Sequence, residues 1–168
     1  ALTIKQTLIW KDSLTLWNHE IKTYPMTVPM AYNSRGQAWH ASGELEKAIE
    51  DYSASITLNP FDPFPYNNRA LIYEDMGRDD AAIEDYTKAI SLDAAFFNAR
   101  NNRGIAFGKS GRLEDAVEDF TAALRINPAS SSAFLNRGFA YMGMERPIDA
   151  LADFTKADAL SPGNPIVR

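Results

Sequence analysis

Asparagines recur every 34 residues through the middle of this chain, at Asn68, Asn102 and Asn136. Further amides stand at Asn33 and Gln37, about one period earlier, and beside the series at Asn67, Asn98 and Asn101. A carboxamide both donates and accepts, so a row of them can hydrogen-bond an extended peptide backbone whatever its side chains. The competing reading is that asparagine here satisfies free backbone groups at exposed helix starts. A second polar series has the same period: Arg35, Arg69, Arg103 and Arg137, with Asp51, Asp85, Asp119 and Asp153. It predicts a ladder of Arg–Asp pairs tying helices within or between units, each contributing under about 1 kcal/mol if partly exposed.

Covalent and metal chemistry find no comparable footing. Cysteine is absent, and the two histidines, His19 and His40, stand far apart without metal-ligand spacing. Paired acids such as Glu74-Asp75 and Asp79-Asp80 fall at turns, where carboxylates favour helix starts and solvation. No glycine-rich phosphate loop is present. The expectation is a non-catalytic chain without cofactor or metal. A formal charge of −5 argues against nucleic acid, which calls for a basic patch. Hydrophobic content of 45% and charged content of 23% are those of an ordinary soluble chain. No run of 18 apolar residues occurs, so no membrane insertion by this chain is expected. No leader is visible, although a chain beginning at Ala1 is compatible with removal of one. The compartment, cytoplasmic or extracytoplasmic, stays open.

The polar series ride on a repeat of the whole sequence. Gly36-Gln-Ala-Trp39 returns as Ala70-Leu-Ile-Tyr73, Gly104-Ile-Ala-Phe107 and Gly138-Phe-Ala-Tyr141. Ala48-Ile-Glu-Asp-Tyr52 returns as Ala82-Ile-Glu-Asp-Tyr86, Ala116-Val-Glu-Asp-Phe120 and Ala150-Leu-Ala-Asp-Phe154. A fixed period of this length is the mark of a solenoid. Each unit holds two apolar patterns of helical period, helix A and helix B, divided by a breaker. Gly43, Gly77 and Gly111 are the breakers, and Glu145-Arg-Pro147 takes their place in the fourth unit. Gly36, Ala70, Gly104 and Gly138 in helix A, with Ala48, Ala82, Ala116 and Ala150 in helix B, are small enough for close approach. The aromatics around them complete an interdigitated core.

At these residues the chain resembles the tetratricopeptide repeat (TPR) family. The match runs through Tyr32, Gly36, Trp39, Ala48, Tyr52, Ser55 and Pro60 and recurs in the next three units. Arg100 departs from the pattern at the first aromatic of unit three, and Ala94 at the proline closing unit two. Arg100 is expected to loosen one inter-repeat contact. The resemblance implies an all-α, right-handed superhelix with repeats at 29–62, 63–96, 97–130 and 131–164, a degenerate N-terminal repeat over 1–28, and a tail at 165–168. It also implies a concave groove lined by helix A. That groove would be formed by Asn33, Gln37, Asn67, Asn68, Leu71, Asn98, Asn101, Asn102, Ile105, Asn136 and Phe139, with Leu71, Ile105 and Phe139 giving apolar contact. The amides resemble the asparagine ladder of O-linked N-acetylglucosamine transferases. The carboxylate clamp that grips acidic chaperone tails fits poorly, since it wants Lys or Arg where Asn33, Asn98 and Asn102 stand.

The ends carry weaker signals. Ser13, Leu14, Trp17, Ile21 and Pro25 align with a helix B, and Leu2, Ile4, Leu8 and Ile9 with the remnant of its partner. Residues 7–17, TLIWKDSLTLW, resemble the junction before the extracytoplasmic TPR tail of some bacterial membrane glycosyltransferase-like proteins. Asp158 replaces the apolar Ile56, Ile90 and Leu124 of the earlier units, which predicts that no well-packed fifth repeat follows. The leading expectation is a protein-interaction module for a peptide or partner helix. Alternatives are the tail of a larger membrane protein and a homo-oligomeric scaffold assembling through its terminal faces.

Overall fold

The breakers seen in the sequence are where the helices stop. The computed structural model describes residues 13–162 and contains nine α-helices and no strand among them. They fall in two compact units, divided between Arg78 and Asp79. The first holds α1 (Ser13–Thr23), α2 (Pro29–Ala41), α3 (Leu45–Leu58) and α4 (Pro63–Asp75). The second holds α5 (Asp79–Leu92), α6 (Phe97–Lys109), α7 (Leu113–Ile126), α8 (Ser131–Gly143) and α9 (Pro147–Leu160). Within each unit, sequence neighbours pack as antiparallel hairpins. The expected N-terminal helix B is α1, whose Ile21 is buried. The residues expected to form its partner, Leu2 to Ile9, and the tail at 165–168 lie outside the described residues.

Each turn between helix A and helix B is closed in the same way. Gly43, Gly77 and Gly111 take φ of 80°, 68° and 78°. The next residue's N–H then returns to the carbonyl five positions back, Glu44 to Trp39, Arg78 to Tyr73 and Arg112 to Phe107, at 3.0, 2.7 and 2.9 Å. This pairing satisfies carbonyls that a helix end leaves bare, and it needs a left-handed residue that glycine supplies without a Cβ clash. The fourth turn makes the same bond, Arg146 to Tyr141 at 2.9 Å, with Glu145 held at φ 57°. The turns leading on from helix B use side chains instead: Asn59, Asp93 and Asn127 each accept from a backbone N–H two residues later.

The small residues lie where the helices touch. A Cβ added at Gly36 would sit 2.7 Å from the Tyr52 ring, at Gly104 2.7 Å from Phe120, and at Gly138 2.5 Å from Phe154. These rings fill the space against helix A, and Ala48, Ala116 and Ala150 beside them are fully buried. In the first unit Ala48, Tyr52 and Ile72 form the centre, with Trp39, Leu45 and Ile49 against it. In the second, Phe107, Ala116, Phe120 and Ala140 do so, flanked by Ile83, Ile105 and Val117. Arg100 does not leave its position empty. Its Nε donates to the Ala94 carbonyl at 3.1 Å, the bond that the Tyr66 hydroxyl makes to Pro60 in the preceding repeat, and its guanidinium lies 3.6 Å from Asp119.

The left-handed conformation costs a side-chain-bearing residue roughly 1–2 kcal/mol, and glycine gives part of that back through unfolded-chain entropy. Glu145→Gly is therefore expected to stabilise the chain by about 0.5–1 kcal/mol, measured as a rise in the urea midpoint with an unchanged slope.

Candidate functional site

The Arg–Asp series is a built structural device. Arg35, Arg103 and Arg137 each grip the aspartate 16 residues on through two parallel bonds. Nε and Nη2 donate to Asp51 at 2.7 and 2.7 Å, to Asp119 at 2.6 and 2.8 Å, and to Asp153 at 2.7 and 2.7 Å. The third nitrogen reaches back to the preceding helix B: Arg35 to Asn18 at 2.7 Å, Arg103 to Thr87 at 2.9 Å, Arg137 to Thr121 at 3.0 Å. Arg69 makes the corresponding bond to Ser53 at 2.8 Å. One planar fork thus fixes a helix pair and its junction at once, which a lysine ammonium does not do. Hydrogen bonding to Asp51 and Asp153 raises the Arg35 and Arg137 pKa values, against the opposing pull of burial.

The carboxylates are buried, Asp119 to 2% exposure, so the small energy expected for partly exposed pairs does not apply. Removing one partner strands a charge in the interior, at a cost of about 3–5 kcal/mol. Arg137→Ala should lose stability on that scale, because among the described residues Asp153 has no second arginine beside it as Asp119 has in Arg100. Arg137→Met combined with Asp153→Leu should recover most of it, as read by urea denaturation. Beside Asp51, burial pushes the Tyr52 phenol above its ordinary 10.0, and the Asp51 charge adds to the effect. A raised folded pKa means that this stabilisation is complete below the unfolded value and is lost as pH climbs beyond it. Tyr52→Phe, the residue type already standing at Phe120 and Phe154, should make the fall in stability above about pH 10 shallower in denaturation curves taken across pH.

The amides expected to line a groove lie on helix A, and the structure sorts them. In the first unit the Asn68 Nδ2 donates to the Asn33 Oδ1 at 3.1 Å, Gln37 is exposed and Leu71 half-buried. Asn67 differs from the others: it is buried to 6% exposure, its Nδ2 donates to Asn68 at 3.4 Å, and its Oδ1 has no hydrogen-bond partner among the described residues. In the second unit the Asn136 Nδ2 donates to the Asn101 Oδ1 at 3.3 Å, Asn98 is exposed and Asn102 half-buried. Both amide pairs span 35 residues, not the 34 of the repeat. Within each unit the amides therefore bond to one another across adjacent A helices rather than standing as separate rungs. His40 follows the same offset, its Nε2 3.0 Å from Asp75.

Three of the expected positions meet around one opening. Ile105, Asn136 and Phe139 line a cleft of about 210 Å³ in the second unit, with Gly104, Gly108, Leu113, Phe120 and Ala140. Its wall is apolar, with one amide in it. Phe139 is 52% exposed and meets Phe154 edge-on, centroids 5.2 Å apart. Gly108 was not among the expected residues. A Cβ built there meets nothing within 4 Å, so this glycine opens the cleft. A glycine inside helix A at a position where other repeats carry His40, Glu74 and Met142 was the signal for it. A larger opening of about 490 Å³ between α1 and α2, walled by Leu16, Trp17, Val28 and Met30, contains none of the expected groove residues.

Also unforeseen is a cation over the last aromatic of helix A in each of the four repeats. Lys47 lies 4.7 Å from the Trp39 ring centre, Arg78 4.8 Å from Tyr73, Arg112 4.2 Å from Phe107 and Arg146 4.7 Å from Tyr141. Among the described residues no three His, Asp or Glu side chains are grouped to hold a metal ion. No described helix is long and apolar enough to cross a membrane.

The tetratricopeptide repeat profile matches residues 63–96 and 97–130, and a second TPR repeat profile matches 36–77. No curated protein matches the sequence. Among solved structures, a MamA crystal structure superposes with a TM-score of 0.83 at 21% identity, covering 95% of each chain. YrrB, described as a TPR protein with an unusual peptide-binding site, gives 0.78 at 18% identity over 92% of this chain and 79% of its own. The first TPR of Spaghetti (RPAP3), bound to the HSP90 peptide SRMEEVD, gives 0.68 at 22% identity over 70% of this chain and 93% of its own.

Proposed function

The chain belongs to the tetratricopeptide repeat family, and from that premise we propose that it is a non-catalytic protein-interaction module that binds an extended peptide on helix A. The observation that carries this reading is the cleft in the second unit, where Ile105, Asn136 and Phe139 come together. Its volume suits one apolar side chain of a peptide, with Phe139 as the exposed aromatic anchor. The Asn136 amide at the same opening has capacity beyond its bond to Asn101, since a carboxamide offers two donors and an acceptor. A backbone carbonyl or N–H of the bound peptide is its natural partner. In the first unit Asn33 and Asn68 supply a comparable pair. An acidic tail such as the one bound by RPAP3 is not the favoured ligand here, because Asn33, Asn98 and Asn102 hold positions where the clamp needs cations.

Peptides selected from a displayed random library provide the test, with binding followed by fluorescence anisotropy. Phe139→Ala should weaken a selected peptide about tenfold, or ~1.4 kcal/mol. Gly108→Leu should block the cleft while leaving the helix intact or firmer, since glycine costs a helix interior roughly 0.5–1 kcal/mol. Glu118→Ala, an exposed residue on α7, should change nothing. A failure to select any binder, or peptides indifferent to both cleft variants, would sink the reading.

A further inference from the structure

The outer helix of the fourth repeat breaks a rule that the other three keep. Two positions of helix B are acidic and exposed in every earlier repeat, Glu46 and Glu50, Asp80 and Glu84, Glu114 and Glu118. In α9 the same positions carry Ile148 and Ala152. Ile148 is 84% exposed, and Leu151 beside it 66%. With Thr155 and Ala159 these residues fall at helical spacing and form one exposed apolar stripe along α9. Ile49, Ile83 and Val117, the counterparts of Leu151, pack into the cores of their units. The counterparts of Ile148 do not. They stay exposed although helix A of another repeat packs against their helix, so a further repeat stacked in the same manner would leave Ile148 in water.

We infer that this stripe is a homodimer contact, in which α9 packs antiparallel against α9 of a second copy. Two features favour a copy of this chain over another partner. The chain carries −5, and the outer faces of the first three repeats hold two acids each, so like copies repel there; the stripe carries no charge. The flank of the stripe is also self-complementary. Asp149 and Lys156 stand seven residues apart, two turns along one side of α9. One Asp149 oxygen accepts from Arg146 of its own chain at 2.8 Å, and the second carboxylate oxygen is the one offered to the copy. An antiparallel two-fold centred between Ala152 and Asp153 sets Asp149 of each copy opposite Lys156 of the other, because an isologous contact repeats every pairing twice. The same register drops Ile148 between Thr155 and Ala159 of the copy, a large residue into a gap between small ones. One helix pair buries less than a standard interface, so the dimer is expected to be weak and concentration-dependent.

Sedimentation velocity across a concentration series of the chain tests this. A monomer–dimer equilibrium is expected. Ile148→Glu with Ala152→Glu, which gives α9 the acids of the other repeats at exposed positions, should abolish the dimer while circular dichroism and melting stay unchanged. Lys156→Asp should weaken dimerisation about tenfold, and adding Asp149→Lys should restore it. A chain monomeric throughout would overturn the inference and leave the stripe to a different protein. A dimer that survives the double glutamate variant would place the contact elsewhere and overturn it equally.

Discussion

A buried carboxylate gripped by a guanidinium is what three of the helix pairs, α2 with α3, α6 with α7 and α8 with α9, are assembled around. Asp51, Asp119 and Asp153 lie almost wholly out of water, and a lone charge there would be prohibitive. The arginine that answers it comes from the partner helix in two parallel bonds, so it tolerates one register and one crossing of the hairpin. Close approach follows from this. The arginine stands one residue before the glycine whose missing Cβ lets the helix B ring lie against helix A. A one-residue slip would separate charge from countercharge and drive a side chain into the ring.

That constraint leaves the rest of helix A free to vary. Once the Arg and Gly positions are set, neighbouring positions carry amides at Asn33, Asn68, Asn101 and Asn136, and apolar groups at Leu71, Ile105 and Phe139. The scaffold is repeated, whereas the surface it presents differs from repeat to repeat, which is how one fold serves unrelated partners. Gly108 illustrates the point. Its absent side chain has no packing role, unlike that of Gly104 one turn earlier, and its effect is to open a cleft.

The helices, turns and pairing of Arg with Asp were legible in the sequence because each is local or strictly periodic. Gly43, Gly77 and Gly111 announced the turns, and the step of 34 aligned everything else. What was missed concerns contact between neighbouring repeats. The amides were expected to stand apart at intervals of 34, but touching A helices are offset by 35, so Asn68 finds Asn33 and Asn136 finds Asn101. A difference of one residue is invisible to a repeat alignment, since packing geometry sets it. Burial was equally illegible at Asn67, where a polar side chain read as lining a groove is enclosed to 6% exposure. Arg78, Arg112 and Arg146 had the right period, but nothing in the sequence says that a residue just past a helix will fold back over a ring in it.

The third nitrogen of each fork has a thermodynamic consequence. Repeat proteins are usually described by an intrinsic energy for each repeat and a separate energy for each junction. Here one guanidinium contributes to both: Arg103 holds α6 to α7 through Asp119 and α6 to α5 through Thr87. The two energies are therefore correlated rather than independent. A fluctuation that frees the junction also loosens the pair, so end-fraying propagates inward instead of stopping at the first interface. Local opening in such a stack is a shared event, and neighbouring helices lose their amide protection together.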